Sequence, residues 1–138
     1  MSRAAERSNR ALLRARDAMD RTYGQPLDIA QLARIAHVSE AHFIRTFRAS
    51  FGETPHRYLQ RRRVERAMFL LRVAPTSVTD ICMAVGFTSL GTFSRTFREI
   101  VGESPSSYRA RSTLGAVPTC FSMSWSRPSS FGEADRAD

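Results

Sequence analysis

Residues 39–58 read SEAHFIRTFRASFGETPHRY, and residues 89–108 read SLGTFSRTFREIVGESPSSY. Laid over one another with an offset of 50, the two stretches share ten identities in twenty positions. Ser39, Phe43, Arg45, Thr46, Phe47, Arg48, Gly52, Glu53, Pro55 and Tyr58 match Ser89, Phe93, Arg95, Thr96, Phe97, Arg98, Gly102, Glu103, Pro105 and Tyr108. Two unrelated basic helices would not share their aromatic, glycine and proline punctuation as well. The chain carries an internal duplication, and whatever the first copy builds the second builds again.

Upstream of Ser39 the match continues with one residue of slip. Ile29, Leu32, Ala33, Ala36 and Val38 correspond to Val78, Ile81, Cys82, Val85 and Phe87, both sets at the i, i+3, i+4, i+7 spacing of an amphipathic helix. Gly86 suits the tight turn that follows in the second copy. His37 stands near it in the first, and histidine is among the residues that tolerate positive φ. Ser39 and Ser89 then open the next helix as N-caps, as Asp28 and Ser77 open the leading helices. Thr54-Pro55 and Ser104-Pro105 each start a further helix, with a hydroxyl cap and proline at the first helical position. A helix over residues 55–73 joins the copies, with Leu59, Val64, Ala67, Met68 and Leu71 inward and Arg57, Arg61, Arg62, Arg63 and Arg66 largely outward. Another over about residues 3–23 buries Leu12, Ala15, Met19 and Tyr23 before Gly24 and Pro26 end it. No segment alternates with period two. The expected fold is all-α, about seven helices, in two helix-turn-helix subdomains. These span about 28–51 and 77–101 of a domain covering residues 1–111; residues 112–138, rich in Ser, Pro and Gly, read as a flexible tail.

Every one of the 21 basic residues is arginine, and the net charge is +8. Two arginines and three acids fall in residues 112–138, so the tail carries −1 and residues 1–111 carry +9. An excess of this size favours a polyanionic partner, nucleic acid first among them. Arginine holds phosphate or a guanine edge through two parallel hydrogen bonds, as lysine cannot; the same usage is also what a biased genome composition produces. No apolar run approaches the roughly 18 residues of a membrane span, and the N-terminus lacks the apolar core of a secretory signal. A cytoplasmic protein with no membrane partner is expected.

About 100° of rotation per residue puts Phe43, Phe47 and Phe51 on one side of the helix opening at Ser39, and Ala41, His42, Arg45, Arg48 and Ala49 on the other, with Ile44 at the border. In the second copy Phe93, Phe97, Ile100 and Val101 point inward, and Gly91, Thr92, Arg95, Arg98 and Glu99 outward. Small residues near the N-terminal end would let the backbone approach the floor of a major groove, with an arginine about a turn and a half in to reach a base edge. Ser39, Ser89 and the adjoining N–H groups suit phosphate.

The pattern Ser39-x-x-His42-Phe43-x-Arg45-x-Phe47 followed by Gly52-x-x-Pro55-x-x-Tyr58 resembles the DNA-binding domain of the AraC/XylS regulators. The second half adds Ile81-x-x-x-Val85-Gly86-Phe87-x-Ser89 and Phe93-x-Arg95-x-Phe97, and the connecting helix Arg63-Val64-x-x-Ala67. The resemblance covers roughly residues 5–110. It implies two recognition helices in successive major grooves about one turn (~34 Å) apart. Carried over by position, the base-reading candidates are Ala41, Ile44 and Arg45, then Leu90, Gly91, Ser94 and Arg95. The residues read as holding the duplex beside them are Ser39, His42, Arg48, Arg62, Ser89, Thr92 and Arg98. The resemblance also implies contact with RNA polymerase. With no room for a sensing domain in 138 residues, it points to the stand-alone type that binds asymmetric sites as a monomer.

Other chemistries find little support. The three histidines, His37, His42 and His56, form no ligand pair at metal spacing and no catalytic triad. Cys82 reads as a small core residue and neither it nor Cys120 has a CxxC partner. Some DNA-repair alkyl acceptors contain similar domains, but Pro118-Thr119-Cys120-Phe121 lacks the Pro-Cys-His-Arg arrangement that activates such a thiol. No enzyme activity, metal or cofactor is expected. The alternative is a protein-interaction module that contacts the polymerase or another regulator without its own DNA specificity.

Overall fold

Hydroxyl and carboxylate caps set the helix starts. In a computed structural model describing residues 2–113, the side chains of Ser2, Asp28, Ser39, Ser77 and Ser89 accept the backbone N–H three residues on. Thr54 and Ser104 do the same for Arg57 and Ser107, each ahead of a proline at the first helical position. The resulting order is α1 (Arg3–Arg21), α2 (Ile29–Ala36), α3 (Glu40–Phe51), α4 (Pro55–Val73), α5 (Val78–Ala84), α6 (Leu90–Val101) and α7 (Pro105–Thr113). The described residues contain no strand. The all-α expectation holds, and α7 runs two residues past position 111. The expectations for Cys120 and for the tail from residue 114 onward fall outside the described residues.

The chain divides into two compact units between Leu59 and Gln60, inside α4. In the first unit Leu12, Ala15 and Met19 of α1 pack with Leu32, Ala33 and Ala36 of α2, Phe43 and Phe47 of α3, and Tyr58 and Leu59. The Phe47 ring meets Phe43, Phe51 and Tyr58 at centroid distances of 5.6, 4.6 and 5.6 Å. The Tyr58 hydroxyl donates to Asp20 Oδ1 at 2.7 Å, tying the start of α4 to α1. In the second unit Phe87, Phe93, Phe97 and Tyr108 form the corresponding chain, with centroids 5.1, 5.7 and 5.7 Å apart. Val64, Ala67, Met68, Leu71, Ile81, Cys82, Val85 and Val101 are buried in the same unit.

The turns repeat as the helices do. His37 at φ 62° and Gly86 at φ 105° are left-handed. Val38 N–H reaches Ala33 O at 3.0 Å, and Phe87 N–H reaches Cys82 O at 3.1 Å. Both are the six-to-one bond of a Schellman cap. The one-residue slip in the repeat therefore lies after the left-handed residue: Thr88 is the extra residue between cap and next helix. Gly52 and Gly102, at φ 77° and 98°, also end α3 and α6 left-handed, their own N–H groups reaching Arg48 O and Arg98 O at 2.8 Å.

The connecting helix requires a correction. Its arginines were expected to face largely outward, yet Arg57, Arg61, Arg62 and Arg63 are half-buried, and only Arg66 is exposed. Glu65 draws Arg61 and Arg62 onto the helix with N–O distances of 2.8 and 2.7 Å. Arg63 lies over the Phe87 ring at 5.9 Å. The apolar stems of Arg61, Arg62 and Arg63 lie along the helix and its core while the charged ends find a carboxylate or a ring.

A candidate nucleic-acid interface on two capped helices

The serine cap and the glycine stop fix α3 at both ends, and the phenylalanines at 43 and 47 fix its rotation. Both rings are fully buried, so the opposite side must face outward. Ala41, Arg45, Arg48 and Ala49 are exposed there, Ile44 is 39% exposed at the border, and His42 is half-buried. Arg45 and Arg48 make no side-chain hydrogen bond or ion pair among the described residues. Ser39 Oγ accepts from His42 N at 3.2 Å, so the first turn is ordered with Ser39 itself exposed.

α6 repeats this geometry. Phe93 and Phe97 are fully buried, and Leu90, Gly91, Arg95 and Arg98 are exposed, with Thr92 and Ser94 half-buried. Ser89 Oγ accepts from Thr92 N at 3.0 Å and also hydrogen-bonds the Thr92 hydroxyl at 2.9 Å. A Cβ on Gly91 would meet nothing within 4 Å, so the glycine leaves open space outside the helix rather than relieving a clash inside the protein. Arg95 and Arg98, like their counterparts, pair with nothing among the described residues.

Behind these faces the remaining polar groups hold the scaffold. Arg109 donates from Nε to Leu71 O at 3.0 Å and from Nη2 to Ala74 O at 2.9 Å, capping α4. Glu103 accepts from Arg111 at 2.8 and 3.0 Å and from the Ser107 hydroxyl at 3.0 Å, locking the turn onto α7. This partner of Glu103, eight residues on, could not be read from spacing. Cys82 is fully buried, burial pushes its thiol pKa up, and its Sγ lies 3.6 Å from Ser89 O. Among the candidate arginines, Arg62 is the one engaged within the protein among the described residues, through Glu65. Burial raises the Glu65 pKa against the opposing pull of Arg61 and Arg62. No cluster of His, Cys, Asp and Glu among the described residues could hold a metal, and no described helix is long and apolar enough to cross a membrane.

Two helix-turn-helix units, each presenting a capped helix with unpaired arginines, define the DNA-binding domain of a transcriptional regulator. Comparison with known proteins narrows the class. The family described as "Helix-turn-helix domain" matches residues 32–111. The regulatory protein SoxS of Salmonella typhimurium is 36% identical over 93 residues, covering 67% of this chain and 87% of SoxS. GlxA, an HTH-type transcriptional regulator of Rhizobium meliloti, is 36% identical over 112 residues, 79% of this chain and 35% of GlxA. The DNA-binding domain of AdpA, solved in complex with a target DNA, superposes with a TM-score of 0.68 at 31% identity over 72% of this chain and 90% of that one. An AraC-type regulator from Chromobacterium violaceum gives 0.71 at 29% identity, covering 79% and 97%. This chain belongs to the AraC family of helix-turn-helix transcriptional regulators. It spans only 29%, 35% and 31% of three of the longer curated regulators it matches.

Proposed function

We propose that the chain binds double-stranded DNA sequence-specifically, with α3 and α6 entering two successive major grooves. The observation that carries this reading is the equivalence of Arg45 and Arg95. Each sits six positions after a serine cap, exposed and unpaired among the described residues, on a helix whose rotation two buried phenylalanines fix. Arg45 and Arg95 are assigned to base edges, the most favourable being the O6 and N7 of guanine. Ala41 and Ile44 in one unit, and Leu90 and Gly91 in the other, limit that face to apolar contact such as a thymine methyl, with Ser94 as a secondary hydrogen-bonding reader. Ser39, His42, Arg48, Ser89, Thr92, Arg98 and Arg62 are assigned to the sugar-phosphate backbone. Contact with RNA polymerase, and binding as a monomer to an asymmetric site, complete the reading as the family resemblance implies them.

The test is selection of bound duplexes from a random pool, followed by a salt titration on the winner. An asymmetric motif of two blocks about ten base pairs apart is expected, because that spacing is one helical turn. No enrichment, together with a salt slope near zero, would leave the interaction-module reading in its place.

A further inference from the structure

The recognition helices do not account for the arginines of α1. Arg3, Arg7, Arg10, Arg14 and Arg21 lie within an arc of about 60° on that helix and span about 27 Å of its length. All five are exposed, and none makes a hydrogen bond or ion pair among the described residues. Glu6 and Asp17 stand three or four residues from members of this ridge, the usual helix-pairing distance, and are exposed. They form no ion pair with it. Like charges three and four apart disfavour a helix, so the ridge works against the stability of α1 without an internal counter-charge.

Its position within the first unit is informative. Arg7, Arg10 and Arg14 form one wall of a groove of about 520 Å³ whose other wall is Ala36, His37 and Val38. That second wall is the turn leading directly into Ser39 and α3. The duplication supplies a comparison. Aligning the buried positions Leu12, Ala15 and Met19 with Val64, Ala67 and Leu71 sets Arg10 against Arg62 and Arg14 against Arg66. In the second unit Glu65 holds Arg62 at 2.7 Å, whereas the equivalent position in the first unit is Leu13, 40% exposed, and Arg10 stays unpaired.

We infer that the Arg7–Arg10–Arg14 ridge of α1 is a second DNA contact, binding the phosphate backbone that flanks the groove entered by α3. The inference rests on the DNA-binding reading above and adds a sequence-independent anchor of three unpaired arginines, where the equivalent helix of the second unit offers Arg62, held by Glu65, and Arg66. A duplex edge fits this ridge because its phosphates repeat along a line, as the guanidiniums do, and because it must pass the N-terminal end of α3 if that helix enters the groove. The unequal anchors would also distinguish the two ends of a site.

The experiment uses the full chain, the duplex selected above, and the variant Arg7→Gln/Arg10→Gln/Arg14→Gln. Each lost phosphate contact removes about 0.9 from the slope of log K against log salt. A fall of about two to three is expected, with the selected base preference unchanged and the thermal midpoint equal or higher, since repulsion within α1 is relieved. The charge-preserving Arg7→Lys/Arg10→Lys/Arg14→Lys variant should keep the wild-type slope. A glutamine variant that is folded and retains the full slope overturns the ridge while leaving the DNA-binding reading intact. A wild-type chain that enriches no duplex overturns both.

Discussion

Arg45 and Arg95 differ from the arginines around them in what holds them, not in their chemistry. Arg61, Arg62, Arg109 and Arg111 are bound by carboxylates or carbonyls within the protein, while Arg45 and Arg95 project from helices whose other faces are buried. Replacing Arg95 with alanine should weaken binding to the selected duplex by about 1–3 kcal/mol and relax preference at one base pair. Equal loss on random DNA would show that Arg95 touches phosphate alone. Glu65 permits a second test at this scale. Burial raises its folded pKa above the unfolded value, so the folded chain binds that proton more readily. Its contribution to stability is therefore largest below the unfolded carboxylate range and is lost as pH rises through the folded value. Denaturation curves should show the wild type losing stability relative to Glu65→Gln as pH rises from the unfolded carboxylate range through the higher folded value. A difference that runs the other way would mean the two arginine pairs outweigh burial.

At the scale of the element, much was legible. The ten shared identities carry the caps, the aromatic contacts and the glycine stops. The left-handed residue in each turn could be read from Gly86 and from the tolerance of histidine. The slip was legible too: Val38 pairs with Phe87 and Ser39 with Ser89, which leaves Thr88 as the extra residue. The paired turns offer mirror-image substitutions. His37→Gly should stabilise the chain by up to about 1 kcal/mol, and Gly86→Ala should destabilise it by about 1 kcal/mol or more, as urea melts would read. The fate of the α4 arginines, by contrast, was hidden. Whether a surface arginine is solvated or drawn down depends on how deeply one carboxylate, here Glu65, is seated, and helical period sets only its direction. Arg109 reaching Leu71 and Ala74 across 38 and 35 residues, and the burial of Thr96 at 4% exposure, likewise come from tertiary packing.

At the scale of the whole molecule each unit has its own aromatic core, and each is small enough that one large cavity would matter. Phe47→Ala should cost about 3–5 kcal/mol by removing the ring that joins Phe43, Phe51 and Tyr58. Native-state hydrogen exchange would locate the loss. Protection should fall across α2 and α3 and persist in α5 and α6; an equal fall in both would show that the units melt together. Net charge could not say which arginines are free to meet a partner, since several of the cations it counts serve as caps and clasps.

The way α3 and α6 are fastened has a practical consequence. The serine caps, the glycine stops and the inward aromatic rings seat these helices, and no side-chain hydrogen bond, ion pair or ring contact among the described residues involves Ala41, Ile44, Arg45, Leu90, Gly91 or Arg95. If α3 and α6 enter DNA as proposed, those six positions would act as an interchangeable reading head. A combinatorial library randomised there should remain largely folded, so new target preferences could be screened for without rebuilding the protein beneath them.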